Sequence, residues 1–224
     1  MGMFCYQCEQ TAKGTGCTQM GVCGKDPEVS ALQDLLVHAA KGIAQYAHRA
    51  GKLGAHDRDV NVFVVEALFT TVTNVNFDAD RIVQELKKAY EIKEKAKALY
   101  KDAAVKAGNI EEELSGPACW VPADTKEGLV AEGNEVGIEA RKSALGDDIT
   151  GLIELLTYGL KGTAAYADHA LILGKEDNDV YAFFMEALDF LTGDDLTVDG
   201  LLGMNLRCGE VNLTVMGLLD AANT

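Results

Sequence analysis

Residues 41–68, KGIAQYAHRAGKLGAHDRDVNVFVVEAL, return as residues 161–188, KGTAAYADHALILGKEDNDVYAFFMEAL. The two stretches align without a gap at an offset of 120, and fifteen of the 28 positions are identical. Upstream, Leu32, Leu35 and Leu36 match Leu152, Leu155 and Leu156. Self-similarity this dense marks a duplicated structural unit. Whatever the first copy folds into, the second should fold into as well.

The first copy reads as helix. Asp26 can cap, Pro27 suits a first helical position, and Glu28 favours the positive end of the helix dipole. Apolar residues then recur at helical spacing as Leu32, Leu35, Leu36, Ala39, Ala40, Ile43, Tyr46, Ala47 and Ala50, until Gly51 and Gly54 end the run. A second helix is expected over about 59–73. A third is expected from Asp78 to about Ala107, stopped by Gly108, with a Lys/Glu-rich outer face. In the second copy the third helix falls near 198–222. No segment alternates for long enough to predict a sheet. The predicted fold is all-α: a loop at 3–26, a three-helix bundle at 27–108, a connector at 109–146 and a second three-helix bundle at 147–224.

The copies also predict a contact. Lys41 and Glu66 lie about equally far from the turn near Gly54, so antiparallel helices would set them level, and Lys161 with Glu186 repeats the arrangement. A carboxylate inside an apolar run needs a partner if buried. The spacing therefore predicts a Lys–Glu contact across the first two helices of each bundle.

Composition narrows the function. The chain has 224 residues, 48% hydrophobic, with a formal net charge of -15. A surface that negative repels phosphate backbones, so no nucleic-acid partner is expected. The most apolar run, VNVFVVEALF, is short and broken by Glu66, so no membrane span is expected. No basic segment leads into an apolar one at the N-terminus, which predicts a cytoplasmic protein without a signal peptide. In a reducing compartment, clustered cysteines bind metal more readily than they form disulfides.

Four of the six cysteines stand in MFCYQCEQTAKGTGCTQMGVCGKD, residues 3–26: Cys5, Cys8, Cys17 and Cys23. A Cys-x2-Cys pair aims two sulfurs at one point, and the longer gaps let the chain loop round with two more. The interspersed glycines let backbone N–H groups approach sulfur. With no histidine in the segment, the ligands would all be thiolate, which suits an iron–sulfur cluster or an all-cysteine zinc site. The other candidates are weaker. Cys119 and Cys208 read as buried free cysteines. His38, His48, His56 and His169 share no ligand spacing. Glu66 and Glu186 lack the Glu-x-x-His needed for a di-iron site in a bundle. No phosphate-binding glycine motif and no nucleophile elbow is present, and no catalytic residue is assigned.

The segment MFCYQCEQT…GC…GVCGKDPEV…LQDLLVHAAKGIAQYAHRA closely resembles the N-terminus of the hybrid cluster protein family, also called prismane or hydroxylamine reductase. The late LRCGEVNLTVMGLLDAANT resembles the end of that family's first domain. The resemblance implies a cubane [4Fe-4S] cluster on Cys5, Cys8, Cys17 and Cys23. A [2Fe-2S] cluster belongs to a subgroup with wider spacing, and zinc is the alternative outside the family. It also implies two three-helix bundles, and a substrate-reducing hybrid cluster in domains beyond Thr224. The implied role is electron relay: from a redox donor protein to those downstream domains, which reduce hydroxylamine or nitric oxide. Alone, the chain is expected to exchange electrons but not to turn over hydroxylamine. The rival readings are a free-standing ferredoxin-like carrier and a structural zinc domain.

Overall fold

The structure, a computed structural model, describes residues 2–194 and 196–223; Thr224, the expected end of the second bundle, lies outside them. Among the described residues the secondary structure is helical apart from a single β-bridge. The helices are α1 (Pro27–Lys52), α2 (Arg58–Thr70), α3 (Ala79–Ala107), α4 (Lys126–Glu135), α5 (Ile138–Leu145), α6 (Asp147–Ile172), α7 (Asn178–Phe190) and α8 (Val198–Asn223). Short 3-10 turns occupy Ala12–Gly14 and Gly116–Cys119.

The ends follow from local chemistry. The Asp26 carboxylate accepts the Val29 N–H at 2.7 Å, with Pro27 in the first turn. Asp57 caps α2 and its repeat counterpart Asp177 caps α7, each accepting the N–H two residues on. α3 stops at Gly108, whose φ of 69° is the left-handed ending that glycine adopts without a side-chain penalty.

α1, α2 and α3 follow one another as expected, as do α6, α7 and α8, but the two sets are interlocked. α3 packs along α1 and α8 along α6, while α2 lies against α6 and α7 lies against α1. The consecutive helices α6 and α7 scarcely touch. The cause is composition. α2 buries Val60, Phe63, Val64, Val65, Ala67 and Leu68, and α7 buries Val180, Phe183, Phe184, Met185, Ala187 and Leu188. Helices apolar over so much of their circumference need neighbours on more than one side. One hydrophobic core therefore runs through both copies. Polar links cross it too: Arg49 on α1 donates to Asp189 on α7 at 2.8 Å, and Arg58 on α2 to Glu176 at 3.0 Å.

The connector is more structured than its composition suggests. α4 crosses α1, and the Gly116–Cys119 turn seats on α1 as well. The seat is tight at Gly42, where an added Cβ would come within 2.2 Å of the Pro117 carbonyl oxygen. Lys93 of α3, nearly fully buried, donates to the carbonyls of Ala118 at 3.1 Å and Trp120 at 2.8 Å.

The expected Lys–Glu contacts do not form. Lys41 and Lys161 are buried, whereas Glu66 faces solvent beside Lys88 and Glu186 forks onto Arg207. Counting rungs from the turn assumed that the first two helices of each copy pair mainly with each other. The interlock breaks that assumption, and α2 and α7 turn their glutamates outward.

Candidate cluster site

The loop before α1 is held by backbone pairing between two of its cysteines. The Cys5 N–H donates to the Cys17 carbonyl at 3.1 Å and the Cys17 N–H to the Cys5 carbonyl at 2.8 Å. Met3 N–H adds a third rung to Thr18. Residues twelve apart in sequence thus stand side by side. Thr11 reaches back to the Cys5 carbonyl through its hydroxyl at 3.0 Å, and its N–H donates to the Cys8 carbonyl. This draws the Cys-x2-Cys segment toward the same bridge. Cys23 follows on a turn closed by Gly24 N–H to Gly21 O at 2.8 Å and Gly21 N–H to Lys25 O at 2.7 Å. A Cβ at Gly21 would sit 2.9 Å from the Cys23 sulfur, so that sulfur needs a glycine there.

Donors gather at Cys17. Its Sγ accepts the Ala12 N–H at 3.4 Å, and the Thr11 hydroxyl lies 3.7 Å away. The Ala12 and Val22 N–H groups hold this thiol below the ordinary range, against the opposing pull of burial and with help from Thr11 and Lys25. N–H donors aimed at sulfur are what a thiolate ligand to iron or zinc requires. Cys17 is buried and Cys5, Cys8 and Cys23 are half-buried, so the loop shields such a group while leaving it near the surface. The side chains as placed do not converge on a single ion: among the described residues no group of three or more His, Cys, Asp or Glu does so. The donor set, all sulfur with backbone N–H groups around it, suits a thiolate-ligated cluster.

The loop is pinned to the helices. Gln7 accepts from Thr73 N–H at 3.0 Å and from the Thr73 hydroxyl at 3.2 Å. Tyr6 stacks edge-on between Phe4 and Tyr158 of α6. Lys25 donates to Gln33 at 3.1 Å, and Gln33 in turn donates to the Asn76 carbonyl at 2.8 Å.

Beneath the loop lies a polar cavity of about 30 Å³, walled by Cys5 of the loop and by α1, α5 and α6. Its charged lining follows the repeat: Asp34 and Lys41 from α1 meet Glu154 and Lys161 from α6, each residue displaced from its twin by the offset of 120. In both helices the acid precedes the lysine by seven residues, two helical turns, so both lie on one face. His38 and Tyr158 are likewise twins. Burial lowers Lys41 and Lys161 to about 8 and His38 to about 4, and raises Asp34. Arg141 of α5 pairs with Glu154. The signal is present in the repeat, where an acid recurs seven residues before the lysine in each copy.

The other cysteines stay apart from the loop. Cys208 is buried beside Thr163, and burial pushes its thiol up. Cys119 is exposed, contrary to the buried expectation, because the 3-10 turn directs it outward where it donates to Leu114 O at 3.1 Å. His48 and His56 line a separate cavity, and His169 stacks on Phe69.

Comparison with known proteins places these features. Residues 3–224 match the profile of the Prismane/CO dehydrogenase family. A hydroxylamine reductase of Rhodospirillum rubrum is 51% identical over 222 residues, covering 99% of this chain and 40% of the relative. One from Geobacter sulfurreducens is 49% identical, covering 98% and 40%. One from Halothermothrix orenii is 46% identical over 226 residues, covering 100% and 40%. The chain thus spans about 40% of the length of the curated relatives it matches.

Proposed function

The chain belongs to the Prismane/CO dehydrogenase family, and on that premise we propose that Cys5, Cys8, Cys17 and Cys23 hold a [4Fe-4S] cluster serving electron relay. The observation that carries the reading is the Cys5–Cys17 backbone bridge with N–H donors aimed at the Cys17 sulfur. Bound there, the cluster would supply one-electron storage and release. The protein's own part is to hold and tune. The bridge and the Thr11 bonds fix where the sulfurs stand, the N–H donors draw electron density from Cys17, and Gln7 and Tyr6 tie the loop to the helices.

The hydroxylamine reductase activity that names the relatives is proposed for a longer parent chain, with these residues as its electron inlet from a redox donor protein. A stripe on α8 favours this over a free-standing carrier. Leu202, Leu206, Leu213 and Met216 fall on one helical face and all are exposed, Leu206 and Leu213 by 74% and 70%. A contiguous apolar stripe is a surface for packing, and further domains of a parent chain would cover it. No helix among the described residues is long and apolar enough to cross a membrane. The proposed setting is the cytoplasm, and a net charge of -15 speaks against a nucleic-acid partner.

Metal analysis tests the reading. Chain prepared without oxygen should contain about four iron and four sulfide per molecule. Cys17→Ser should lose or convert the cluster, and Cys208→Ser should retain it. Reconstituted chain holding one tight zinc and no iron would make this a structural zinc domain instead.

A further inference from the structure

The cavity beneath the cysteine loop carries a charge imbalance of opposite sign to the rest of the molecule. Lys25, Lys41, Arg141 and Lys161 line it against only Asp34 and Glu154, an excess of two cations inside a chain whose net charge is -15. Lys41 and Lys161 are 7% and 6% exposed. Neither takes part in any of the salt bridges among the described residues, Glu154 being held by Arg141. Lys161 donates to the Thr71 carbonyl at 3.4 Å and lies over the Tyr158 ring, 5.9 Å from its centre. The Tyr158 hydroxyl beside them is buried without a partner.

Buried cations held without a contacting anion are costly, and a sequence that places one in each copy of a duplicated unit has kept that cost twice. Asp34 and Glu154 in the lining offset two of the four cations, and a cavity of about 30 Å³ has room for water beside the ammonium groups and the tyrosine. The loop forms one wall, with Cys5 in the lining, and a negative group held there would supply the rest of the counter-charge. A cluster bound by four thiolates is an anion that becomes more negative on taking up an electron.

We propose that Lys41 and Lys161, the twin lysines of the repeat, form a buried cationic floor under the cysteine loop that sets the reduction potential of the cluster held there. The inference rests on the cluster reading above. The lysines act through charge and are positioning residues, not ligands. Removing either should disfavour the reduced form more than the oxidised one, because the reduced form carries the greater negative charge. In the cluster-free chain the sign reverses. An uncompensated ammonium replaced by an apolar side chain of similar shape leaves that form equally or more stable.

The test uses Lys41→Met and Lys161→Met, with Lys41→Arg and Lys161→Arg to restore charge. Iron content is measured first, then the midpoint potential by redox titration, then melting of the cluster-free chain. Each methionine variant should lower electron affinity about tenfold, equivalent to about 59 mV for one electron. The arginine variants should sit near wild type, and the cluster-free methionine variants should melt no lower than wild type. A merely structural lysine would give the opposite pair, a lower melting point and an unmoved potential. Loaded variants with unmoved potentials overturn this inference alone. If a methionine variant fails to fold, an arginine variant that also loses the wild-type potential does the same. Wild-type chain that takes up no iron overturns the cluster reading, and this inference with it.

Discussion

The two copies of the repeat have the same core and different surroundings. In the first, α4 and the Gly116–Cys119 turn are laid over α1, and Lys93 of α3 is locked to the carbonyls of that turn. In the second the cover is smaller, only the short α5 lying against α6, and α8 turns a stripe of leucines to solvent. The twin glycines register the contrast. A Cβ at Gly42 would strike the Pro117 carbonyl at 2.2 Å, whereas one at Gly162 would meet nothing within 4 Å. Duplicated sequence fixes what the helices bury between them, and the unduplicated connector decides which outer face is closed. Identity between copies therefore carries information about the shared interior and little about the outside.

The glycines give the largest expected effect. Gly42→Ala should destabilise by roughly 3 kcal/mol or more, since a backbone oxygen cannot step aside as a flexible side chain does. Gly162→Ala, at an exposed mid-helix position, should stabilise by up to about 1 kcal/mol. Denaturant melts of both measure it. Equal effects would mean that the connector is not seated on α1.

Next is the pair His38 and Tyr158, twins facing one cavity. Burial, with the cations Lys41 and Arg141, holds His38 near a pKa of about 4, below its ordinary 6.5. The unfolded chain therefore binds the extra proton first. The stability contributed by His38 is complete above about pH 6.5 and is lost as pH falls toward 4, on the order of 3 kcal/mol. Asp34, raised by burial, runs the other way, so the signal is the difference between wild type and His38→Asn in cluster-free chain. Tyr158→Phe should leave this acid limb unchanged, because its hydroxyl is pushed still further above its ordinary alkaline range. A limb that survives His38→Asn would assign it to other groups.

The smallest effect is at the twin glutamates. Glu66 faces Lys88 at 3.8 Å in an exposed pair, whereas Glu186 meets Arg207 through both its oxygens and is less exposed. Double-mutant cycles should give about 0–0.5 kcal/mol for the first and up to about 1 kcal/mol for the second. Reversal of that order would contradict the geometry.

Much of the scaffold was legible because its signals are local. Asp26 and Pro27 start α1, Gly108 ends α3, and the apolar spacing of 32–50 needs a helix wherever it packs. The Cys5, Cys8, Cys17, Cys23 spacing likewise marked the loop, but the direct backbone pairing of Cys5 with Cys17 depends on a turn built by Thr11 and Ala12. The pairing of α2 with α6 and of α7 with α1 is a tertiary choice between chemically similar helices. No pattern within either copy distinguishes a partner in its own copy from one in the other, and the Lys41–Glu66 expectation failed there. α4 and α5 were hidden for another reason. Gly128 and Gly133 lower the intrinsic helicity of α4, α5 is only eight residues long, and the two rest on caps such as Thr125 and on packing against α1 and α6.

The exchange of middle helices has a genealogical side. A lone copy of the repeat would leave the faces that α2 offers to α6, and α1 to α7, uncovered in water. Two copies turned to face one another cover both at once, as in an isologous two-fold dimer. The shared cavity draws an acid and a lysine from each copy into one lining. Read backwards, the chain has the layout of a homodimer with traded arms whose subunits were later joined end to end. The connector treats them unequally, with α4 and the Gly116–Cys119 turn on α1 and only the short α5 on α6, so the pseudo-symmetry holds in the interior and is lost outside.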